Sequence, residues 1–288
     1  MTEVIVTGAS GFVGRALVMA LAARGDRVHA VSRRAGADQP GVIWHQADLL
    51  TPEGRAALPD APVLIHCAWQ VEHGAFWTSP ENEVWRLASG DLIRRFLGRG
   101  GRRVMVLGTC AEYDAQADGP WDEGRPIAPA TPYGAAKVGL FDDLADIGAA
   151  LIWPRLFHLY GPGEDARRLI PSLVLGLRQG RATEIRKAHL IRDFASTPYL
   201  ARVLLALLDS QTSGAVDVGS GQPRSLGDLA LILATAALHP ERLRLSQQID
   251  PAEPRLMAPR LTRLHTAIGP VSETPERALP QALNWSFS

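Results

Sequence analysis

The stretch from Glu3 to Arg24 leaves the chain few folds to choose from. Glu3-Val-Ile-Val-Thr7 is a short β-rich run, Gly8-Ala-Ser-Gly11-Phe-Val-Gly14 follows without a gap, and apolar residues then recur at helical spacing from Phe12 to Arg24, where Gly25 stops them. Strand, glycine turn and helix in that order let backbone N–H groups approach a pyrophosphate, whose charge the helix N-terminus then stabilises. Thr7, Gly8, Ser10, Gly11, Phe12, Val13 and Gly14 are therefore candidates for binding a dinucleotide. A tight turn that needs glycine for packing alone is the competing reading.

Arg27–Val31 reads as a second strand, and Ser32-Arg33-Arg34 follows it. An acid at this point would bond the ribose 2′-OH, whereas arginines accommodate a 2′-phosphate, so NADP(H) is favoured over NAD(H). A solvated arginine pair in a loop is the alternative. Further strands are expected at Val42–Trp44, Pro62–Trp69 and Arg103–Leu107, with a helix over Glu81–Leu97. Alternating strands and helices predict an α/β, doubly wound parallel sheet with helices on both faces and ligands at the carboxyl ends of the strands. Asp48 and Leu49 then meet the adenine edge, and Cys67, Ala68 and Trp69 line the cofactor channel. For Asp48 the alternative is a helix N-cap, and for the small residues simple packing.

Tyr133 and Lys137 are four residues apart, which puts phenol and ammonium on one face of a helix. A tyrosine has a reference pKa of about 10 and is a poor acid near neutrality, but a neighbouring cation lowers that value. The chain has two lysines, Lys137 and Lys187, so a lysine at this spacing is a less casual event than in a lysine-rich protein. Thr109, carried by the strand ending near Leu107, offers a hydroxyl to a substrate carbonyl beside the phenol.

Formal net charge is zero over 288 residues, so no global field recruits nucleic acid or an anionic membrane. No apolar run reaches transmembrane length, and Cys67 and Cys110 in apolar stretches suit reduced thiols, so a cytoplasmic location is expected. His66, His73 and His189 lack metal-ligand spacing with acids or cysteines, and no catalytic metal is expected.

Taken together, T-G-x-x-G-x-x-G at 7–14, Asp48, Thr109 four residues before Tyr113, Tyr133-x-x-x-Lys137, Pro154-Arg155-Leu-Phe-His158-Leu-Tyr160-Gly161-Pro162, Arg192-Asp193-Phe194 and Val218-Gly219-Ser-Gly221 resemble the extended short-chain dehydrogenase/reductase family, also called the NAD-dependent epimerase/dehydratase family. The resemblance implies a catalytic trio of Thr109, Tyr133 and Lys137, with Leu107 and Pro154 also near the cofactor. It implies a Rossmann domain over 1–162, with 189–222 returning to it, and a smaller substrate-binding cap made of 163–188 and 223–288. Arg192 looks like the family arginine that holds a nucleotide-sugar diphosphate, a surface ion pair with Asp193 being the alternative. Family members commonly form homodimers through the helices beginning near Glu81 and Thr131.

Departures from the family pattern narrow the chemistry. Dehydratases of this kind place Asp-Glu after the threonine, where this chain has Cys110-Ala111. Epimerases of the GDP-fucose synthase type pair a cysteine two residues after the hydroxyl with a histidine; here those positions are Ala111 and Arg168, and Cys110 on an extended strand would face the opposite side. His158 stands where the family has Asn near the substrate diphosphate, either as a substrate contact or as a buried, satisfied histidine. Trp85 stands where many members have an Asn supporting the lysine. What remains is carbonyl reduction, with Cys110, Ala111, His158, Arg168 and Arg192 toward a nucleotide-activated keto-sugar such as a 4-keto-6-deoxyhexose. A nucleotide-sugar epimerase, a reductase of another carbonyl compound and a non-catalytic NADP-binding sensor are the alternatives.

Overall fold

The computed structural model describes residues 2–288. From the N-terminus the chain runs through β1 (Glu3–Thr7), α1 (Phe12–Arg24), β2 (Arg27–Ser32), β3 (Val42–Gln46), α2 (Pro52–Ala56), β4 (Val63–His66), α3 (Glu81–Gly98), β5 (Arg103–Val106), β6 (Gly108–Thr109), α4 (Pro132–Asp143) and β7 (Leu151–Leu156). It continues through β8 (His158–Tyr160), α5 (Leu169–Arg178), β9 (Thr183–Ile185), β10 (Ile191–Arg192), β11 (Phe194–Ser196), α6 (Thr197–Asp209), β12 (Gly214–Val218), β13 (Arg224–Ser225), α7 (Leu226–Ala236), β14 (Leu243–Leu245), β15 (Leu256–Met257), α8 (Thr262–Ile268) and α9 (Pro275–Ala278).

The large sheet has the order β12-β7-β5-β4-β1-β2-β3, with β6 pairing to β7. β1 pairs in parallel with β2 and β4, β2 with β3, β4 with β5, and β5 with β7. This is the doubly wound parallel sheet that the alternation of strands and helices predicts. Strands covered on both faces need continuous apolar runs, and Val4, Ile5, Val6, Leu64, Ile65, Val104, Met105 and Val106 are fully buried. The chain moves outward from β1 to β3 and then returns to β4 on the other edge of β1. In doubly wound sheets ligands bind at such a reversal, beyond the carboxyl ends of the strands.

Two compact units share the chain. The first comprises residues up to Asp114, Pro126–Arg155 and Ala201–Val216; the second comprises Ala115–Arg125, Leu156–Leu200 and Asp217–Ser288. In the first, Leu92, Ile93 and Phe96 of α3 pack in one core with Val104, Leu140 and Trp153. In the second, Ile170, Leu173 and Leu177 of α5, spaced by three and four residues, meet Leu229 and Leu233 of α7. Among the described residues no helix is long and apolar enough to cross a membrane.

Candidate active site

The glycine turn lies at the reversal of strand order. Gly8 has φ 64°, and a Cβ there would stand 2.7 Å from the Ala68 backbone nitrogen that follows β4. A Cβ on Gly14 would stand 2.2 Å from the Gly8 carbonyl oxygen, so the turn can lie this close to α1 only with glycine. Gly11 is the N-cap of α1, with no side-chain cap and no acid in the first turn. Ser10 and Gly11 are exposed, Thr7 is buried, and Phe12 and Val13 are half-buried. A helix start without a capping side chain, reached over glycines, suits a diphosphate, and the residues present therefore fit a dinucleotide. Arg33 and Arg34 are exposed beyond β2, where the Ser32 hydroxyl donates to the Arg34 carbonyl. Asp48 Oδ1 accepts from the Leu50 N–H at 3.0 Å, while Thr51 caps α2 by accepting from Gly54 N–H at 3.1 Å. The N-cap alternative for Asp48 is thus not what forms. Leu49 is buried in the core of this unit.

Thr131 caps α4 from its side chain and Pro132 occupies the first turn, so Tyr133 and Lys137 both fall inside the helix, one turn apart. Lys137 is buried, its Nζ donates to the Leu107 carbonyl at 2.8 Å, and it lies 3.8 Å from the centre of the Trp69 ring. Burial pulls its pKa from 10.5 down to about 7, against an opposing push from Glu112 and Cys67. The Trp69 indole N–H donates to Asn82 Oδ1 at 2.9 Å, and Asn82 Nδ2 donates to the Phe76 and Ser79 carbonyls. The same loop brings Phe76 and Trp77 edge-on to Tyr133, with ring centres 4.9 Å and 5.6 Å away. Tyr133 is therefore walled by aromatic rings and Lys137 is held at the end of the strand that leads to Thr109. Trp85 packs against Trp69 at 6.3 Å and takes no part in holding the lysine by hydrogen bond. Pro154 is buried in β7.

β6 ends at Thr109, and Cys110–Glu112 is a turn of 3-10 helix, which corrects the extended geometry expected for Cys110. The cause is a capping box: Thr109 Oγ1 accepts from Ala111 N–H at 3.2 Å and Glu112 Oε1 accepts from Thr109 N–H at 2.8 Å. Period-two facing therefore does not apply to Cys110. Neither it nor Cys67 is in a disulfide among the described residues, and burial pushes the Cys67 thiol up to about 12.

In the second unit, His158 N–H donates to the Asp193 carbonyl at 3.2 Å, and its ring stacks at 5.1 Å from Phe194. Its Nδ1 is buried and, among the described residues, has no hydrogen-bond partner. Burial, with Arg192 and Arg168 nearby, pushes its pKa down to about 3. The ring is neutral and, contrary to the buried-and-satisfied alternative, one nitrogen is unsatisfied. Arg192 is buried and pairs with Glu253 at 2.9 Å as well as with the Pro254 and Arg255 carbonyls. Asp193 is not its partner: that carboxylate accepts from the N–H groups of Ser220 and Gly221, which explains why Arg-Asp-Phe and Val-Gly-Ser-Gly occur together. Arg168 is the N-cap of α5 and pairs with buried Glu164 at 2.9 Å. A groove of about 620 Å³ lined by Trp121, Arg125, Leu256, Pro259 and Arg260 includes none of the residues singled out from the sequence.

A profile of the family described as NAD dependent epimerase/dehydratase matches residues 4–219. The chain belongs to this family. It is 28% identical to a protein named GDP-6-deoxy-D-mannose reductase from Pseudomonas aeruginosa, over 98% of this chain and 95% of the relative. It is 25% identical to dTDP-6-deoxy-L-talose 4-dehydrogenase (NAD(+)) from Aggregatibacter actinomycetemcomitans, over 78% of this chain and 86% of the relative. A solved structure of RMD from Pseudomonas aeruginosa complexed with NADPH superposes with a TM-score of 0.82 at 25% identity, covering 99% of this chain and 98% of that one. The names of the two relatives are those of a GDP-sugar reductase and a dTDP-sugar dehydrogenase, and the similar solved structure holds NADPH. Asn82, Phe76, Trp77, Glu112 and Trp153 are the residues around the site that motif reading passes over. Tyr113 and Arg155, which stand in two separate motifs, were the available signal for Glu112, since Arg155 pairs with its carboxylate and donates to the Tyr113 hydroxyl.

Proposed function

We propose that the protein is an NADPH-dependent reductase of a nucleotide-activated keto-sugar, of the 4-keto-6-deoxyhexose class. The observation that carries the reading is the state of the acid in the turn after Thr109. Glu112 is fully buried and bonded to Thr109 N–H, Trp153 and Arg155, so it is turned away from any reacting sugar. Cys110 and Ala111, the preceding positions, supply neither an acid nor a base for removing water. The relatives named as a 6-deoxy-D-mannose reductase and a 6-deoxy-L-talose 4-dehydrogenase support the substrate class. Exposed Arg33 and Arg34 support the 2′-phosphate, as does the NADPH in the similar structure.

The nicotinamide cofactor, when bound, supplies the hydride. The turn from Thr7 to Gly14 holds the pyrophosphate, and Arg33 and Arg34 meet the 2′-phosphate. Tyr133 gives its phenolic proton to the carbonyl oxygen. Thr109 Oγ1 already accepts from Ala111 N–H, which leaves its own proton free to bond that oxygen. Lys137 binds the nicotinamide ribose and lowers the tyrosine pKa; each unit of lowering is about 1.4 kcal/mol of differential stabilisation. Phe76 and Trp77 stand edge-on to the half-buried Tyr133 ring and orient the phenol.

Y133F tests the assignment on a mass-detected panel of nucleotide keto-sugars. Turnover is expected to fall at least ~100-fold, the contribution typical of one general acid, while NADPH binding measured by fluorescence is kept. Undiminished turnover by Y133F would sink the assignment, and a preference of the wild type for NADH would reverse the cofactor reading.

A further inference from the structure

The reaction proposed above gives Glu112 no chemical step, yet its carboxylate is the most completely enclosed acid of the first unit's site. Oε1 accepts from Thr109 N–H at 2.8 Å and from Trp153 Nε1 at 3.0 Å, and Oε2 accepts from Arg155 Nε at 2.6 Å. Desolvating both partners of such a pair costs about as much as their attraction returns, so apolar residues of similar volume would serve stability equally well. The pair is better explained by what it holds.

It holds geometry first. Gly108 has room for no side chain, since a Cβ would meet Trp153 Nε1 at 2.2 Å and Glu112 Oε1 at 2.7 Å. The indole and carboxylate therefore press directly on the backbone that carries Thr109. Arg155 also donates to the Tyr113 hydroxyl at 3.0 Å and faces the Phe141 ring at 5.7 Å, and Phe141 lies 5.2 Å from Trp153. Phe141 is one helical turn beyond Lys137, which is one turn beyond Tyr133, so the network touches the same face of α4. One cluster thus spans the strand end with the hydroxyl and the helix with the phenol and ammonium.

It holds charge as well. The ammonium of Lys137 is faced by His66 and Cys67 from the end of β4, by Trp69, by Tyr133 from its own helix and by Glu112 from the turn. Burial keeps His66 neutral, with its pKa pushed down to about 3, and keeps the Cys67 thiol protonated. Glu112 is the largest influence keeping the ammonium protonated against its burial.

We propose that Glu112 is a positioning residue for the carbonyl chemistry: its buried carboxylate fixes the Thr109 backbone, two residues beyond the Leu107 carbonyl that holds Lys137, and supplies that ammonium with a counter-charge. This rests on the ketoreductase reading for its purpose, though not for its measurement. Because the chain has two lysines, full-length protein grown on 13C-lysine gives a direct titration of Lys137 by NMR, with Lys187 as internal control. In E112Q the Lys137 midpoint is expected to fall by half a unit or more, about a threefold loss of proton affinity, with Lys187 unmoved. On the same substrate kcat falls and is lost at lower pH than in the wild type. Should unpaired Arg155 unfold E112Q, the double variant E112Q/R155M removes both charges and is read the same way. A Lys137 midpoint that stays put in the folded variant overturns the proposal, and so does a lowered midpoint with unchanged kcat. If the wild type reduces no keto-sugar, the functional reading fails alone, and the lysine titration still decides whether Glu112 holds the charge.

Discussion

In the first unit, buried His66 has both ring nitrogens engaged, with Thr7 Oγ1 at 2.7 Å and Ser89 Oγ at 2.9 Å. In the second, His158 and His189 each keep a buried Nδ1 that has no hydrogen-bond partner among the described residues. The same contrast holds for the acids. Glu112 has three donors around it, one of them a cation, whereas burial pushes Glu164 up to about 7 despite Arg168 and the Gly161 N–H. A satisfied polar network fixes one arrangement of its members, and an unsatisfied group costs about 1–3 kcal/mol where it stands. The difference teaches where rigidity has been built in: around Thr109, Tyr133 and Lys137, and not around His158.

The largest effect should come from breaking the network on the satisfied side. R155M leaves the Glu112 carboxylate buried without its cation, and removing one partner of a buried pair typically costs about 3–5 kcal/mol. E112Q/R155M should recover most of that loss, because no orphan charge remains. Urea unfolding of the two variants beside the wild type measures this. A loss below ~1 kcal/mol in R155M would mean that the pair behaves like a surface ion pair and the contrast between the units is empty.

The contrast also marks what could be read from the chain. The alternation of strands and helices, the glycine turn and the Tyr133–Lys137 face were legible because each depends on local periodicity or on a residue type with one backbone use. Glu112 was not, because its partners Trp153 and Arg155 lie about forty residues away and meet it only once β7 joins β5 and β6. The alternative raised for Arg192, an ion pair with neighbouring Asp193, gives way for the same reason: the arginine pairs with Glu253 and the carboxylate with Ser220 N–H, both distant in sequence. Asn82 holds Trp69 through a loop whose path no spacing rule predicts.

A smaller effect is expected at Glu164. Its pKa in the folded chain is raised, from 4.5 to about 7. Between those values the folded state binds more protons than the unfolded state, so stability falls as pH rises through the window. E164Q carries no such dependence. It should be about as stable as the wild type near pH 4.5 and more stable by roughly 1 kcal/mol at pH 8, after the lost pairing with half-exposed Arg168 is set against the relieved burial. Thermal unfolding at the two pH values reads the difference, and a variant less stable at pH 8 than at pH 4.5 relative to wild type would show that Arg168 compensates the burial of Glu164.

The smallest effect on stability, and the most telling for function, belongs to His158. Its Nδ1 has nothing to lose within the described chain, so H158L removes a buried polar atom without orphaning a partner, and Tm should hold or rise slightly. If that nitrogen serves the sugar nucleotide, KM for the keto-sugar should rise up to about tenfold, the worth of one hydrogen bond near 1.4 kcal/mol, with KM for NADPH unchanged. Steady-state kinetics with each substrate varied in turn separates the two. A falling Tm with unchanged KM would make His158 a packing residue, and the second unit would then have its own finished interior, differing from the first only in the chemistry used to fill it.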